Sequence, residues 1–358
     1  MIDPRIEKLA GLLVERCLDV QQGWQVIVHG NPPAKPLLEQ ICREIGRREA
    51  YALLRVRIDS PANRAWLLEA DEATIERLTE IEAHEYDHMD SYIVVEAPEN
   101  TRNGSEVPAE KLTLRNKATR PHLMPIFEGT KPWVGLDFPT PALAQDAGMT
   151  LAQFEDFYWG AMLVDWEALA VEMRKIADRF DAADEVRIVG DGTDLRFSLS
   201  DRHGLVDALG ANMPGGEVFY SPVEDSAEGV ISYSEYPACY LNHDVEGVRL
   251  RFEGGRIVEA SANSDEEFLL GMLDADEGAR RLGEFGIGCN PGIQNHMRNT
   301  LFDEKIDGTI HLAIGQGFPF LGGSNSSAVH WDMVKDLRRG GRIELDGELV
   351  QEDGRWLL

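Results

Sequence analysis

The sequence predicts an α/β protein with two domains: an N-terminal α/β domain over residues 1–182 with a mostly parallel sheet, and a C-terminal, β-rich α+β domain over residues 183–358. Three observations lead to this prediction. β-Branched runs alternate with helical apolar spacing in the first half. Short strand-like runs separated by glycine turns fill the second half. The stretch DAAD at residues 181–184 separates the two patterns, and 358 residues are enough for two hydrophobic cores.

The first half begins with a helix and then alternates strands with helices. Asp3 and Pro4 are a favoured N-cap and first helical residue. Apolar residues follow at helical spacing, namely Ile6, Leu9, Leu12, Leu13 and Cys17. The pattern then predicts strands at 25–29, 51–56 and 91–95 and helices at 37–45, 108–118 and 150–179. Because strands that alternate with helices are joined by crossovers, a mostly parallel sheet is expected.

The second half is a series of short strands with tight turns. Strand-like runs lie at 186–189, 195–199, 230–233, 248–252 and 257–260. Gly190-Asp191-Gly192 and Glu253-Gly254-Gly255 are strong turn signals between neighbouring runs. Residues 266–273 form a helical pattern. Together these features predict a β-rich domain with little helix.

Charge and composition exclude several classes of partner. The net charge of −28 argues against nucleic acid and anionic membrane, since both require clustered Lys and Arg. No apolar run approaches the ~20 residues of a membrane span. The first residues, MIDPRIEKLAG, lack the basic-then-apolar order of a signal peptide, and the four cysteines are scattered. We therefore expect a cytoplasmic protein.

The stretch from residue 308 to 335 carries the most informative polar residues. His311 lies in an apolar run, and His330 precedes Asp332 by two residues. In a strand, side chains at i and i+2 share a face, so His330 and Asp332 are two candidate metal ligands. Taken singly, each histidine is also compatible with an ordinary core position, and the pair with an ordinary ion pair.

Three glutamates among glycines and apolar residues extend this candidate site: Glu228, Glu284 and Glu304. A carboxylate in an apolar setting is costly to bury without a partner. For Glu284, an edge acid or a buried salt bridge is the alternative. Several carboxylates and two imidazoles can hold two divalent ions ~3.5–4 Å apart, which generate hydroxide at neutral pH and clamp a carbonyl.

A second histidine pair, His84 and His88, matches the HExxH pattern of zinc peptidases. Its segment is strongly acidic and has few apolar neighbours. We expect a solvated helix face there, with a metal site as the alternative.

The order of motifs from about residue 215 to 350 resembles the aminopeptidase T and aminopeptidase S family of thermophilic metallopeptidases. The matching segments are GGEVFYSPVEDSAEG, DEGARRLGEFGIGCNP, NTLFDEK, HLAIGQGFP, GGSNSSAVHWDM and IELDGELV. The resemblance implies a dimeric two-domain enzyme that releases N-terminal residues from peptides. It also implies two divalent ions per chain (Zn, Co or Mn), with the ligands Glu228, Glu284, Glu304, His311, His330 and Asp332.

One position departs from the resemblance. The family's peptidases carry a tyrosine seven residues beyond the first histidine, where this chain has Phe318. A tyrosine hydroxyl can donate to a developing oxyanion and phenylalanine cannot. His296 is a candidate replacement donor, with a surface histidine as the alternative.

Two other functions are compatible with these residues. A distant branch of the fold resembles dihydroxypyridine ring-cleaving dioxygenases, which hold one Fe(II) through two histidines and an aspartate. That pattern has histidine where this chain has Glu284, which favours the dinuclear peptidase. A non-catalytic binding protein is the third alternative, and it predicts that metal removal changes stability alone.

Overall fold

The computed structural model describes residues 3–58, 61–103, 106–127, 130–241 and 243–357. Its α-helices are α1 Pro4–Gly11, α2 Lys35–Arg47, α3 Pro61–Glu69, α4 Glu72–Ile75, α5 Glu80–His88, α6 Ala109–Phe127, α7 Pro141–Asp146, α8 Leu151–Met162, α9 Trp166–Asp181, α10 Glu266–Leu273 and α11 Thr300–Asp303. A π-helical segment, Leu12–Cys17, continues α1, and 3₁₀ segments occupy Pro32–Ala34, Gly278–Arg280 and Pro319–Leu321.

The strands are β1 Gln25–Gly30, β2 Tyr51–Val56, β3 Ser91–Glu96, β4 Trp133–Asp137, β5 Glu185–Gly190, β6 Thr193–Ser198, β7 Leu205–Asp207, β8 Asn212–Met213, β9 Glu217–Tyr220, β10 Glu228–Tyr233, β11 Ala238–Tyr240, β12 His243–Val245, β13 Val248–Glu253, β14 Arg256–Ser261, β15 Leu282–Gly288, β16 Thr309–Gly315, β17 His330–Asp336, β18 Arg342–Leu345, β19 Glu348–Glu352 and β20 Arg355–Trp356.

The chain divides into two compact units. The first unit comprises residues 1–163 and 209–213, and the second comprises residues 164–208 and 214–358. The predicted domain boundary between residues 182 and 183 stays a prediction. No helix among the described residues is long and apolar enough to cross a membrane.

The first unit is built on a parallel sheet, as predicted. Its strand order is β2-β1-β3-β4-β8, with every neighbouring pair parallel. The N-cap prediction at Asp3 is confirmed, because its side chain accepts a hydrogen bond from the backbone N–H of Arg5 at 2.9 Å. Strands β4 and β8 were not predicted.

The second unit is β-rich and antiparallel. An eight-stranded sheet has the order β14-β13-β10-β6-β5-β18-β19-β20, and a five-stranded sheet has the order β17-β16-β15-β9-β7. Its first helix, α9, is separated from α8 where one continuous helical stretch was predicted. The interruption follows from Asp165, whose carboxylate caps α9 by accepting from the N–H of Ala168 at 3.1 Å. The predicted fold class is confirmed.

Candidate metal centre

The candidate site lies on one face of the five-stranded sheet. Along β15, Phe285 and Ile287 belong to the hydrophobic core, so Glu284 and Gly286 project from the opposite face. The same alternation holds in β16, where Leu312 lies in the core and His311 on the other face. The opposite face is itself buried, because every residue of β15 and β16 is shielded from solvent. Polar side chains on this face therefore need one another or a ligand.

Strand register brings the acidic and imidazole groups together. Glu284 of β15 is paired with Ala313 of β16, and Ala313 is paired with Asp332 of β17. The small side chain of Ala313 leaves space between the two carboxylates. His330 projects from the same face as Asp332, as the i, i+2 spacing predicts.

Gly286 provides the space for the imidazole of His311, its partner in the next strand. A Cβ added at Gly286 would lie 2.0 Å from both Cε1 and Nε2 of His311. The glycine is therefore required by close approach of a side chain.

Backbone carbonyls fix the orientation of both histidines. His311 Nδ1 donates to the carbonyl oxygen of Glu304 at 2.9 Å, and His330 Nδ1 donates to that of Gln316 at 2.9 Å. The Nε2 atom of each histidine is therefore not used by these backbone hydrogen bonds and faces the neighbouring carboxylates. A metal-binding histidine commonly donates its other ring N–H in this way, which fixes the tautomer.

Glu284 faces both imidazoles at once. Its Oε1 lies 3.4 Å from His311 Nε2, and its Oε2 lies 3.1 Å from His330 Nε2. Glu217 Oε2 also lies 3.4 Å from His311 Nε2, and Asp332 Oδ2 lies 3.6 Å from His330 Nε2. The two imidazoles therefore sit at two ends of one carboxylate cluster.

A buried lysine supports the His311 end. Lys305 is fully buried, its Nζ is 3.1 Å from Glu217 Oε1, and it also contacts Glu304 Oε1. These carboxylates raise the pKa of Lys305 although burial alone would lower it. Lys305 therefore stays charged and holds the two glutamates in place.

Burial and mutual charge shift the pKa of the cluster's members. Burial raises the pKa of Glu217 to about 8 and that of Asp332 to about 6. Burial acts in the same direction on Glu284, but the two imidazoles outweigh it and lower its pKa to about 2. For His311 and His330, burial is outweighed by the neighbouring carboxylates, which raise their pKa to about 9 and about 10. These groups form one strongly interacting cluster.

The donor set fits a divalent metal. Two groups have ligand atoms within 4.8 Å of one another: Glu217, Glu304 and His311, and Glu284, His311 and Asp332. Two carboxylate oxygens, Glu217 Oε2 and Asp332 Oδ1, are buried without a hydrogen-bond partner among the described residues. A buried unpartnered carboxylate oxygen is unfavourable unless a cation compensates it. Carboxylate oxygen and imidazole nitrogen together suit Zn, Mn and similar ions.

The structure brings five of the six predicted ligands into this cluster and leaves out one. The five are Glu284, Glu304, His311, His330 and Asp332, and their roles as ligands stay predictions. Glu228 lies elsewhere, at the start of β10 in the eight-stranded sheet, where its Oε1 accepts from the N–H of Gly254 at 2.7 Å. Strand β10 pairs with β6 and β13, away from the strands that carry the cluster, and the role of Glu228 as a ligand stays a prediction.

Glu217 was missed, although it lies eleven residues before Glu228 in the same motif. It opens β9, where it is paired with Gly288 of β15, and it is 4% exposed. The available signal was a glutamate directly after two glycines and directly before the strand-like run VFY. Lys305, in the segment LFDEK, was missed too.

Phe318 lies beside the cluster. Its ring centroid is 5.4 Å from that of His330, and its backbone N–H donates to Ser221 Oγ at 2.9 Å. His296 is mostly buried rather than on the surface, with its Nε2 3.2 Å from Asp303 Oδ2. Its ring is stacked on Tyr236 at 4.8 Å.

The HExxH segment lies on α5. His84 and His88 are exposed, and their rings stack at 3.9 Å. Over the described part of the chain, no group of three or more candidate ligand residues includes either one. The solvated helix face is therefore the better description of this segment.

Known proteins share both the sequence pattern and the fold. The model of the thermophilic metalloprotease family M29 matches residues 2–356. Aminopeptidase T of Thermus aquaticus is 32% identical over 68% of this chain and 70% of that relative. Aminopeptidase T of Thermus thermophilus is 29% identical over 98% of this chain and 95% of that relative. Aminopeptidase AmpS of Bacillus subtilis is 35% identical over 46% of this chain and 47% of that relative.

Two solved structures have a similar fold. Wild-type AmpT from Thermus thermophilus has a TM-score of 0.86 with 24% identity and full coverage of both chains. The 2,5-dihydroxypyridine dioxygenase of Pseudomonas putida has a TM-score of 0.62 with 15% identity over 99% of this chain and 96% of that chain. These likenesses concern the fold, whereas the family match and the aminopeptidase relatives favour the peptidase prediction over the dioxygenase. The chain therefore belongs to the thermophilic metalloprotease family M29 and is a metal-dependent aminopeptidase.

Proposed function

We propose that this aminopeptidase binds two divalent ions per chain (Zn, Co or Mn) and uses them to hydrolyse the first peptide bond of its substrates. The proposed ligands are the carboxylates and imidazoles of one sheet face and the adjoining turn: Glu217, Glu284, Glu304, His311, His330 and Asp332. The proposal keeps five of the ligands implied by the sequence and replaces Glu228 with Glu217.

The observation that carries the proposal is the position of Glu284 between the two imidazoles. Each of its oxygens is next to a different histidine, at 3.4 Å from His311 and 3.1 Å from His330. A carboxylate so placed can bridge two ions. Glu217 belongs with the His311 end and Asp332 with the His330 end, because each lies next to that imidazole.

The chain's own residues prepare this site for peptide hydrolysis. Bound divalent ions supply Lewis acidity toward a carbonyl oxygen and make water acidic enough to act at neutral pH. Lys305 orients Glu217 and Glu304, and the carbonyls of Glu304 and Gln316 orient the imidazoles.

Metal stoichiometry tests the proposal. Elemental analysis of the metal-loaded full chain should give two ions per chain. Glu284→Gln should lower the occupancy of both ions because it removes the shared ligand, whereas Asp332→Asn should leave one. A firm ratio of one iron per chain in the unmodified protein would reject the dinuclear site and favour the dioxygenase chemistry.

Substrate chemistry tests the peptidase part separately. The metal-loaded protein should hydrolyse aminoacyl arylamides, and chelation should abolish this activity until metal is restored. The N-acetylated form of the same substrate should not be cleaved, because an aminopeptidase requires the free amine. Equal cleavage of both forms would contradict aminopeptidase specificity.

We also propose that the protein is a homodimer. The edge strand β2 of the first unit exposes apolar side chains on an open sheet edge, with Tyr51 64% and Val56 51% exposed. Exposed apolar edge strands favour pairing with another chain. Size-exclusion chromatography with light scattering should give twice the mass of one chain. For Val56→Lys the measured mass should fall to that of one chain.

A cytoplasmic location is proposed on the state of the cysteines. Cys42, Cys239 and Cys289 form no disulfide bond. Free thiols suit a reducing compartment. Fractionation of cells that produce the protein would test this location.

A further inference from the structure

The first unit contains a cavity that is separate from the metal cluster. It has a volume of about 630 Å³, within the range of small-molecule sites. Its lining residues come from strands β1 and β3, from helices α3 to α6 and from the segments that adjoin them. Its lining includes His29 of β1, Tyr92 of β3 and Arg57, the residue directly after β2. In open α/β sheets, ligands bind at the carboxyl ends of strands, and Arg57 lies at such an end.

Arginine dominates the charge of this cavity. Arg57, Arg77 and Arg115 line it, against a single lining carboxylate, Glu82. Arg115 contacts Glu82, and Arg57 contacts Glu96, which is not part of the lining. Among the described residues, Arg77 makes no ion pair within 4.0 Å. A positively charged cavity in a chain of net charge −28 is the reverse of the general surface.

Aromatic groups form the other part of the lining. Tyr92 Oη lies 2.7 Å from His29 Nδ1, and the rings of Tyr86 and Tyr92 meet edge to face at 6.5 Å. The Arg115 guanidinium lies 5.7 Å from the centre of the Trp66 ring. Burial lowers the pKa of His29 to about 4, so its imidazole is neutral at physiological pH. The lining thus offers aromatic surface next to guanidinium groups.

We propose that this cavity binds a small organic anion in which an aromatic ring carries a carboxylate or a phosphate. Guanidinium groups bind such oxyanions through paired, charge-assisted hydrogen bonds. The tyrosine and tryptophan rings provide contact surface for a flat ring. None of the metal-cluster residues takes part, so this proposal does not depend on the proposed peptidase mechanism.

Titration calorimetry on the metal-loaded full chain tests the proposal with four probes: phenyl phosphate, benzoate, inorganic phosphate and neutral benzamide. Phenyl phosphate or benzoate should bind with a Kd in the millimolar range or tighter, and the stronger of the two identifies the preferred oxyanion. Inorganic phosphate and benzamide should bind at least roughly tenfold more weakly, because each lacks one of the two features.

Substitutions in the cavity lining and at control positions test whether the anion binds in this cavity. Arg77→Gln and Arg57→Gln should each weaken binding by roughly tenfold or more, the loss expected for one charge-assisted hydrogen bond. Arg251→Gln, on the surface of the eight-stranded sheet, is the matched control and should have no effect. Glu217→Gln disables the metal cluster and should also leave binding unchanged.

Several outcomes would overturn the proposal. These are no saturable binding of either aromatic anion, equal binding of benzamide or of phosphate alone, or affinity that is unchanged in both arginine variants. Binding that disappears in Glu217→Gln and persists in Arg77→Gln would assign the anion to the metal cluster instead. Circular dichroism of each variant verifies that the fold is intact.

Discussion

The eight-stranded and the five-stranded sheet of the second unit differ in the groups that neutralise their acidic side chains. In the eight-stranded sheet, carboxylates are paired with arginine on the surface. Arg187 binds Asp194 at 2.8 Å and lowers the pKa of that carboxyl. Arg342 at 2.8 Å, together with Arg187 at 3.3 Å, lowers the pKa of Glu344. In the five-stranded sheet, Glu217 and Glu284 are buried among imidazoles and one lysine. Burial there raises the pKa of Glu217 to about 8.

This contrast distinguishes the solvated acids from the acids of the candidate metal centre. Surface ion pairs contribute little to stability, so the arginine-paired acids of the eight-stranded sheet are replaceable. Buried carboxylates with unpartnered oxygens, such as Glu217 and Asp332, have an energetic cost that a bound cation offsets. The number of acidic residues in the chain therefore says less about metal binding than the identity of the groups that neutralise each acid.

The sharpest test of the contrast compares two glutamates that each open a strand. Glu217→Gln removes a proposed ligand and should lower kcat/KM for an aminoacyl arylamide by ~10³-fold or more, since metal catalysis supplies several kcal/mol. Glu228→Gln keeps an oxygen that can accept from Gly254 and should change kcat/KM by no more than about twofold. Both are measured with excess metal and checked by circular dichroism. An equal loss of kcat/KM in the two variants would show that the acids of the two sheets do not differ in their importance for activity.

The second test concerns the buried lysine. Lys305→Met leaves Glu217 and Glu304 without their cation and should lower the free energy of unfolding of the metal-free protein by about 3–5 kcal/mol. Metal loading supplies positive charge at these glutamates, so the difference from the unmodified protein should shrink. Urea unfolding with and without metal measures both quantities.

Lys335→Met is the matched control for this test. Lys335 is also buried, and its Nζ lies 2.7 Å from Glu235 Oε1, which is not a proposed ligand. Its loss should destabilise the protein by the same amount with and without metal. If metal reduces both differences equally, Lys305 has no special relation to the cluster.

The third test uses the close approach of Gly286 to His311. Gly286→Ala places a Cβ 2.0 Å from His311 Nε2, so the imidazole must move out of position. We expect metal affinity to fall by roughly 10–100-fold, as for other changes that disturb the orientation of a ligand. Gly271→Ala in α10 is the control, because a Cβ there meets nothing within 4 Å. Chelator competition measures the affinity, and an unchanged value for Gly286→Ala would separate His311 from the metal.

Local patterns in the sequence were sufficient to predict much of the fold and to single out most residues of the candidate cluster. Period-two alternation identified the face shared by His330 and Asp332, and the glycines around Glu284 marked a carboxylate in an apolar strand. Asp3, the β-branched runs and the glycine turns defined the elements of both units. These signals are local, and the structure follows them.

Pairing between distant strands could not be predicted in the same way. Glu217 and Glu228 both open short strands near glycines, but β9 joins β15 and β10 joins β6 and β13. The local sequence pattern does not encode a strand partner tens of residues away, so it singled out Glu228 and not Glu217, which lies in the cluster. Lys305 was missed for the same reason, because Glu217, its ion-pair partner, lies 88 residues earlier in the sequence.

The smallest expected effect concerns Phe318, where the family's peptidases carry tyrosine. The ring lies 5.4 Å from that of His330, and the Ser221 hydroxyl holds its backbone N–H at 2.9 Å. Loss of an oxyanion donor typically costs ~10²–10³-fold in rate. Phe318→Tyr should therefore raise kcat by at least about tenfold at saturating metal, which excludes a change in occupancy as the cause.

Phe320→Tyr is the control for the added hydroxyl, because Phe320 is 58% exposed and its ring lies 5.3 Å from that of Phe318. It should leave kcat within about twofold of the unmodified enzyme. If Phe318→Tyr also leaves kcat unchanged or lowers it, the ring does not occupy an oxyanion-donor position. Phe318 would then be a wall of the substrate pocket beside His330, and Phe318→Ala should change KM among substrates with different first side chains while kcat stays similar.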